Sequence, residues 1–116
     1  MAKNDPNLGL TYNWTLGESG WDSGMDSNLK RLGAVVGLSV KDRGLMTPPV
    51  SPANGDRYIV PTGAAAEWSS KAGQIAVRIG DVWEYYVPKL GWLCFIEDEA
   101  VLSAYKPAGW SPGIAI

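Results

Sequence analysis

The side chains that could do chemistry in this 116-residue chain are carboxylates, hydroxyls, lysines and one thiol, because the sequence contains no histidine. The densest group is Glu97-Asp98-Glu99, whose oxygens could form an acid and base pair or a calcium loop. Neighbouring residues of a strand or turn point apart, however, so a shared site is disfavoured. The acidic run therefore favours a solvated turn that discourages edge-to-edge aggregation.

The single thiol, Cys94, lies in the apolar run from Trp92 to Ile96, where a buried small hydrophobic role is expected. Without histidine, neither a zinc site nor a Cys-His nucleophile pair can be assembled. The glycine spacings at residues 20–24 and 33–37 lack the strand-then-helix context of a phosphate loop. We therefore expect no enzyme, no catalytic residue, no metal site and no cofactor.

Aromatic residues are the second set with a chemical use, since six Trp and five Tyr stand against one Phe. Flat rings on a sheet can stack on the apolar faces of sugars, while nearby polar groups bind the hydroxyls. Rings in the same positions could instead cover the open side of a sheet or form a subunit interface, which is the favoured interpretation. The candidate ligand-binding rings are Trp83, Tyr85, Trp92, Tyr105 and Trp110.

Within the first twenty residues, apolar side chains occupy every second position from 8 to 16. This spacing predicts an extended arm with one apolar face, which docks on its own domain, a neighbouring subunit or a larger assembly. Residues 1–20 are therefore expected to be an assembly or docking arm, followed by a single compact β-rich domain over residues 21–116. The apolar residues of the arm are Leu8, Leu10, Tyr12, Trp14 and Leu16.

The elements that must position these residues follow from hydrophobic periodicity. Steps of four, three and four at Met25, Leu29, Leu32 and Val36 predict one short helix from Asp22, and prolines 48, 49 and 52 then predict an extended connector. Strands are predicted at residues 57–60, 75–79, 82–87, 92–96 and 100–105, the last four as an antiparallel meander. The predicted fold is α+β, mainly β, with the helix packed on a small sheet.

Composition limits the partners. A net charge of −2 and a pI near 5.0 remove the basic footprint of a protein that binds nucleic acid. Apolar stretches are broken by glycine or charge within a few residues, so neither a signal peptide nor a membrane insertion is expected. The chain is thus expected to be made as a soluble cytoplasmic product.

Three blocks of the sequence resemble a phage and prophage family of unknown function that occurs in tail-fibre-like proteins and gene-transfer-agent spikes. They are NLKRLGAVV at residues 28–36, PPVSPANGDRYIV at 48–60, and GDVWEYYVP at 80–88 with Gly91-Trp92, Tyr105 and Gly109-Trp110 following. The resemblance implies a virion location, other virion proteins as partners and a homotrimer. It brings no catalytic motif.

Together, these features predict a structural component of a tailed-phage virion, of the tail-fibre, spike or head-fibre type, acting in assembly and host adsorption. The alternative is a carbohydrate-binding module that recognises a host surface polysaccharide. The two functions do not exclude each other.

Overall fold

The computed structural model describes residues 2–116, so Met1 of the predicted arm lies outside the described residues. The fold is α+β and mainly β, as predicted, with one α-helix and ten short strands in the described part of the chain. Its contacts divide the chain into two compact units, one ending at Val36 and the other running from Gly37 to Ile116. This grouping does not test which segments fold independently, so the boundary at residue 20 stays a prediction.

The first unit begins with a hairpin of β1 (Lys3–Asn4) and β2 (Thr11–Tyr12). The Asp5 carboxylate accepts hydrogen bonds from the backbone N–H groups of Asn7, Leu8 and Leu10, which closes the turn. The segment predicted as one extended arm is therefore folded back on itself. The prediction used only the spacing of the apolar residues, and it did not consider that the Asp5 side chain could close a turn by binding backbone N–H groups.

Helix α1 (Trp21–Val35) follows, one residue earlier than predicted, and Gly20 precedes it at φ 88°. Asn28, Arg31 and Gly24 of α1 contact the segment that precedes the helix. The Asn28 side-chain amide exchanges hydrogen bonds of 2.7 and 2.8 Å with the Thr11 backbone, and Arg31 Nη1 donates to the Leu8 carbonyl at 2.6 Å. At Gly24 a Cβ atom would collide with the Trp14 ring, so only glycine lets this ring pack so closely.

The second unit contains two sheets. Strands β4 (Arg57–Ile59), β5 (Ile75–Ile79) and β6 (Val82–Tyr86) form an antiparallel sheet in that order. The predicted hairpin at Gly80-Asp81 is confirmed, since β5 and β6 pair from Ile79↔Val82 to Ile75↔Tyr86. A 3-10 turn, Ala66–Trp68, lies between β4 and β5 along the chain.

The other sheet is mixed. It contains β3 (Ser39–Val40), β7 (Leu93–Ile96), β8 (Val101–Lys106) and β10 (Ile114–Ala115) in the order β10-β8-β7-β3, with β9 (Gly109–Trp110) paired to β8. Strand β3 runs parallel to β7, whereas β7, β8 and β10 are antiparallel to their neighbours. The prediction of one four-strand meander is therefore wrong, because β6 and β7 belong to different sheets. Pro88 lies between them and has no N–H to donate to a ladder.

An aromatic cluster forms the core beside the three-stranded sheet. Tyr58, Trp68 and Trp83 lie within 5.3 to 5.9 Å of one another, centroid to centroid, with Val60 and Ala76 in the same cluster. The mixed sheet buries a further set of side chains, namely Val40, Cys94, Ile96 and Ser103. Within residues 2–116, no helix is both long enough and apolar enough to cross a membrane.

Candidate functional site

The candidate site is built on the hairpin of β8 and β9, where Tyr105 pairs directly with Trp110. Directly opposite residues of antiparallel strands share a face, and these two rings meet edge to face at 5.2 Å. The Trp110 indole N–H donates to the Gly73 carbonyl at 2.9 Å, which fixes the ring against the loop that precedes β5. Both side chains are half-buried and keep part of their surface in contact with solvent.

A cleft of about 510 Å³ opens beside this ring pair. Backbone and side chains from four parts of the second unit line it, including Arg43, Pro61, Thr62, Tyr105 and Trp110. Apolar ring surface and polar groups therefore face the same space. This combination is typical of a site that binds a small polar molecule with one flat apolar face.

Arg43 is the one charged side chain among the described residues that line the cleft, and its donors are already engaged. Two of its N–H groups donate to the Glu99 carboxylate at 2.7 and 2.8 Å, and others donate to the Ser111 and Pro112 carbonyls at 2.8 Å each. The longest contact, at 3.5 Å, is with Ser103 Oγ. Since a guanidinium has five N–H donors, little capacity remains for an anionic ligand.

The ion pair between Arg43 and Glu99 changes the pKa of both side chains, and each change favours the charged form. The hydrogen bond from Arg43 lowers the pKa of the Glu99 carboxyl below its usual range, and the same bond raises the pKa of Arg43. The pair therefore stays ionised over the ordinary pH range. Through its hydrogen bonds, Arg43 connects the acidic turn to the segment after β9. Because the charges of Arg43 and Glu99 balance, the wall of the cleft is nearly neutral.

Trp83, predicted as a candidate sugar-binding ring, is instead part of the core. Its side chain is only 8% exposed and packs edge to face on both Trp68 and Tyr58, while the Arg78 guanidinium lies 5.4 Å from its ring. The alternation of β6 placed Trp83 and Tyr85 on one face, which is confirmed by their packing on one cluster. The pattern could not show that this face is the covered one.

Tyr85 and Trp92 lie apart from the Tyr105–Trp110 pair in different ways. The Tyr85 hydroxyl donates to the Glu67 carbonyl at 2.8 Å, and the Lys71 ammonium lies 4.8 Å from the ring centre. Trp92 stands at the end of the β7–β8 ladder, where its carbonyl accepts the Tyr105 N–H at 2.9 Å. Of the five predicted rings, the structure therefore brings Tyr105 and Trp110 together in the cleft.

The residues predicted to form the assembly arm are divided between inward and outward positions. Leu8, Leu10 and Trp14 are half-buried within the first unit, and Trp14 packs on α1 at Gly24. Tyr12 and Leu16 are exposed. The last two side chains are thus the ones this segment offers to another molecule.

An apolar surface on the mixed sheet was missed by the sequence reasoning. Phe95, Leu102 and Ile114 are in cross-strand register on β7, β8 and β10, and Leu93 pairs with Ala104 beside them. Leu93 and Ile114 are 57% and 66% exposed, and a largely apolar groove of about 390 Å³ runs along this face. The available signal was the run from Trp92 to Ile96, which is apolar at every position and therefore on both faces of its strand.

The reactive groups elsewhere have structural surroundings. Burial raises the pKa of the Cys94 thiol to about 12, so it remains protonated near neutral pH. In the acidic turn, Glu97 accepts a hydrogen bond of 2.6 Å from the Ser39 hydroxyl, while Glu99 binds Arg43. Desolvation, with Asp42 and Glu99 nearby, raises the pKa of Asp98. Residues 2–116 contain no group of three or more acidic or Cys side chains arranged to hold a metal ion.

Comparison with known proteins identifies the family of the chain. No curated protein matches the chain. A family model does match, over residues 25–111, which spans most of α1, both sheets up to β9 and all of the residues named above as lining the cleft. The chain therefore belongs to the DUF2793 family, described as a protein of unknown function.

Proposed function

We propose that this protein is a structural component of a tailed-phage particle, of the tail-fibre, spike or head-fibre type, which acts through contact surfaces in assembly and host adsorption. The observation that carries the proposal is the uncovered apolar face of the mixed sheet. We name it the β7–β8–β10 face and define it by Leu93, Phe95, Leu102, Ala104 and Ile114.

Leaving this face in water is unfavourable for so small a protein. Complete burial of a Leu or Ile side chain contributes about 1.5 to 3 kcal/mol, and Leu93 and Ile114 each keep more than half of that surface exposed. Contiguous apolar patches on small proteins commonly mark surfaces that another protein covers. Strand β10 is the outermost strand of this sheet and pairs with β8 along one edge. Its other edge can offer backbone groups for pairing with a strand of another protein.

The resemblance to tail-fibre-like and spike proteins supplies the class of partner, namely other virion proteins. In such an assembly, Tyr12 and Leu16 of the N-terminal segment provide a second exposed contact region. A role in assembly needs surfaces of this kind and does not need an acid, base or nucleophile poised for reaction.

Incorporation into particles tests this proposal. Leu93→Glu places a charge on the β7–β8–β10 face, and we expect copies of this variant in purified particles to fall at least tenfold. Val50→Glu is the matched control, because Val50 is a fully exposed apolar residue outside that face. Wild-type incorporation of Leu93→Glu, with the variant folded by circular dichroism, would refute the proposed contact.

We further propose that the Tyr105–Trp110 cleft binds a sugar of the host surface. The half-exposed ring pair beside Thr62 and backbone polar groups supports this second function. Because the Arg43 charge is balanced by Glu99, the cleft suits a neutral sugar better than an acidic one.

A titration of tryptophan fluorescence with neutral and acidic host polysaccharides tests sugar binding. We expect a saturable change with a neutral glycan, at least a tenfold loss of affinity in Trp110→Ala, and partial retention in Trp110→Phe, which keeps a flat ring. Trp21→Ala serves as the control, because Trp21 is an exposed ring in the first unit. No saturable change with any glycan, or equal loss in Trp21→Ala, would rule out this site.

A further inference from the structure

An exposed apolar stripe runs along α1 in the first unit. Trp21, Leu29 and Val36 are 58%, 60% and 67% exposed, and Met25 is 36% exposed. With half-buried Leu32 these residues follow steps of four, four, three and four along the chain. At 100° per residue the four residues within α1 fall within one quarter of the helix circumference, and Val36, the residue directly after the helix, continues the row. We call this row of five residues the seam.

The hairpin covers a different side of the helix. Its contacts fall on Gly24, which packs on Trp14, and on Asn28 and Arg31, which bind the backbone of β2 and of the turn before it. These three positions lie next to the seam and not on it. The residues that hold α1 in its unit therefore leave Trp21, Met25 and Leu29 of the stripe exposed on a helix of about 22 Å.

The spacing of the stripe is symmetric about the middle of the helix. Trp21 and Val36 are equally far from the midpoint between Asn28 and Leu29, and so are Met25 and Leu32. Two copies of α1 laid antiparallel therefore place Trp21 opposite Val36 and Met25 opposite Leu32 at both ends. A large side chain meets a smaller one in each outer pair, which suits interdigitated packing across a two-fold axis.

Charge favours the same arrangement. The acidic residues Asp22 and Asp26 lie in the first half of α1, and the basic residues Lys30 and Arg31 lie in the second half. Antiparallel copies bring the acidic half of each helix beside the basic half of the other, and their macrodipoles also oppose. A three-fold axis instead keeps the helices parallel and gathers three acidic ends together.

From these observations we infer that α1 pairs antiparallel with α1 of a second copy of this chain, across a two-fold axis close to Leu29. The partner is thus an identical subunit, and the contact is the stripe of Trp21, Met25, Leu29, Leu32 and Val36. This inference stands on the helix alone and does not depend on the proposed virion or sugar-binding functions.

Sedimentation equilibrium over about a hundredfold range of protein concentration tests the pairing. We expect the apparent mass to rise from 12.5 kDa towards twice that value. Leu29→Glu should weaken self-association at least tenfold, whereas Val50→Glu, at an exposed apolar position in the other unit, should leave it unchanged. A monomer at all concentrations, a trimer, or equal weakening by Val50→Glu would overturn the inference.

Disulfide trapping provides a geometric check. A mixture of the separate variants Trp21→Cys and Val36→Cys should form a mixed cross-linked dimer under mild oxidation, while either variant alone should not. Cys94 is buried and does not compete. Efficient cross-linking of each variant with itself would indicate parallel helices and would overturn the inference.

Discussion

Replacing Trp83 with alanine removes a ring that the sequence suggested for ligand binding and that the structure places in the aromatic core. The side chain is 8% exposed and contacts Tyr58 and Trp68 edge to face at 5.9 and 5.3 Å. The variant therefore opens a cavity between two rings that depend on Trp83 for their packing. We expect a loss of stability and not a selective loss of binding.

The magnitude follows from the contacts. Truncation of a buried Trp to Ala costs about 3 to 5 kcal/mol, and the loss of two aromatic pairs places this site towards the upper end of that range. A domain of this length is stabilised by about 6 to 17 kcal/mol in total. Trp83→Ala should consequently lower the midpoint of urea unfolding by about 3 M, for an m-value near 1.3 kcal/mol/M.

The matched variant is Trp110→Ala, in the cleft. It loses the hydrogen bond to the Gly73 carbonyl and one edge-to-face contact with Tyr105, together about 1 to 2 kcal/mol, or a midpoint shift of about 1 M. Urea titrations followed by circular dichroism measure both shifts. If Trp83→Ala unfolds within 0.5 M (about 0.7 kcal/mol) of the wild type, the assignment of Trp83 to the core is wrong.

Three further predictions concern the second unit. At pH 8 the Cys94 thiol, whose pKa is raised to about 12 by burial, should react with a thiol reagent only as fast as the protein opens; rapid native labelling would contradict its burial. Because the hydrogen bond from Arg43 lowers the folded-state pKa of Glu99, this pair stabilises the fold above the unfolded-state pKa of Glu99 and is lost as pH falls through the folded value. Glu99→Gln should thus cost about 0.5 to 1 kcal/mol at pH 7 and flatten the acid dependence of thermal unfolding below the usual pKa of a glutamate, and an unchanged acid limb would argue against the pair. Gly113→Ala, at φ 93° with its Cβ against Val101, should destabilise the β10–β8 pairing by about 1 to 3 kcal/mol, seen as faster hydrogen exchange in β10; unchanged exchange would contradict the close approach.

Local chemistry made part of the fold predictable. The alternation of residues 75–79, the Gly80-Asp81 turn and the return strand act within a dozen residues, and the structure has this hairpin. The apolar steps from Met25 to Val36 likewise located α1 within one residue of its start. In both cases the pattern repeats with the geometry of the element itself.

The pairing of strands that are distant in the sequence could not be predicted from hydrophobic periodicity. Strand β3 is two residues long and pairs in parallel with β7, joining Ser39 to Phe95 across more than fifty residues. So short a segment carries no periodic signal, and its partner is selected by packing in the folded state. For the same reason the four later strands were predicted as one meander, although β5–β6 and β7–β8 belong to separate sheets.

The candidate site shows a similar limit. Tyr105 and Trp110 were identified as candidate rings, but nothing in their spacing indicates that Gly73 fixes the indole or that Arg43 and Glu99 neutralise each other at the wall. Trp68 lies outside the predicted helix and strands, so its burial against Trp83 was not foreseen. The contact between Trp68 and Trp83 is what covers this face of β6, so the sequence pattern alone could not show which face is buried.

The central claim is that the protein acts through contact surfaces within a particle. Quantitative mass spectrometry of purified particles from the host that encodes this chain tests it most directly. We predict a fixed copy number per particle that remains after density-gradient purification and scales with the major structural proteins. Recovery of the chain solely in the particle-free fraction of the lysate would contradict the account.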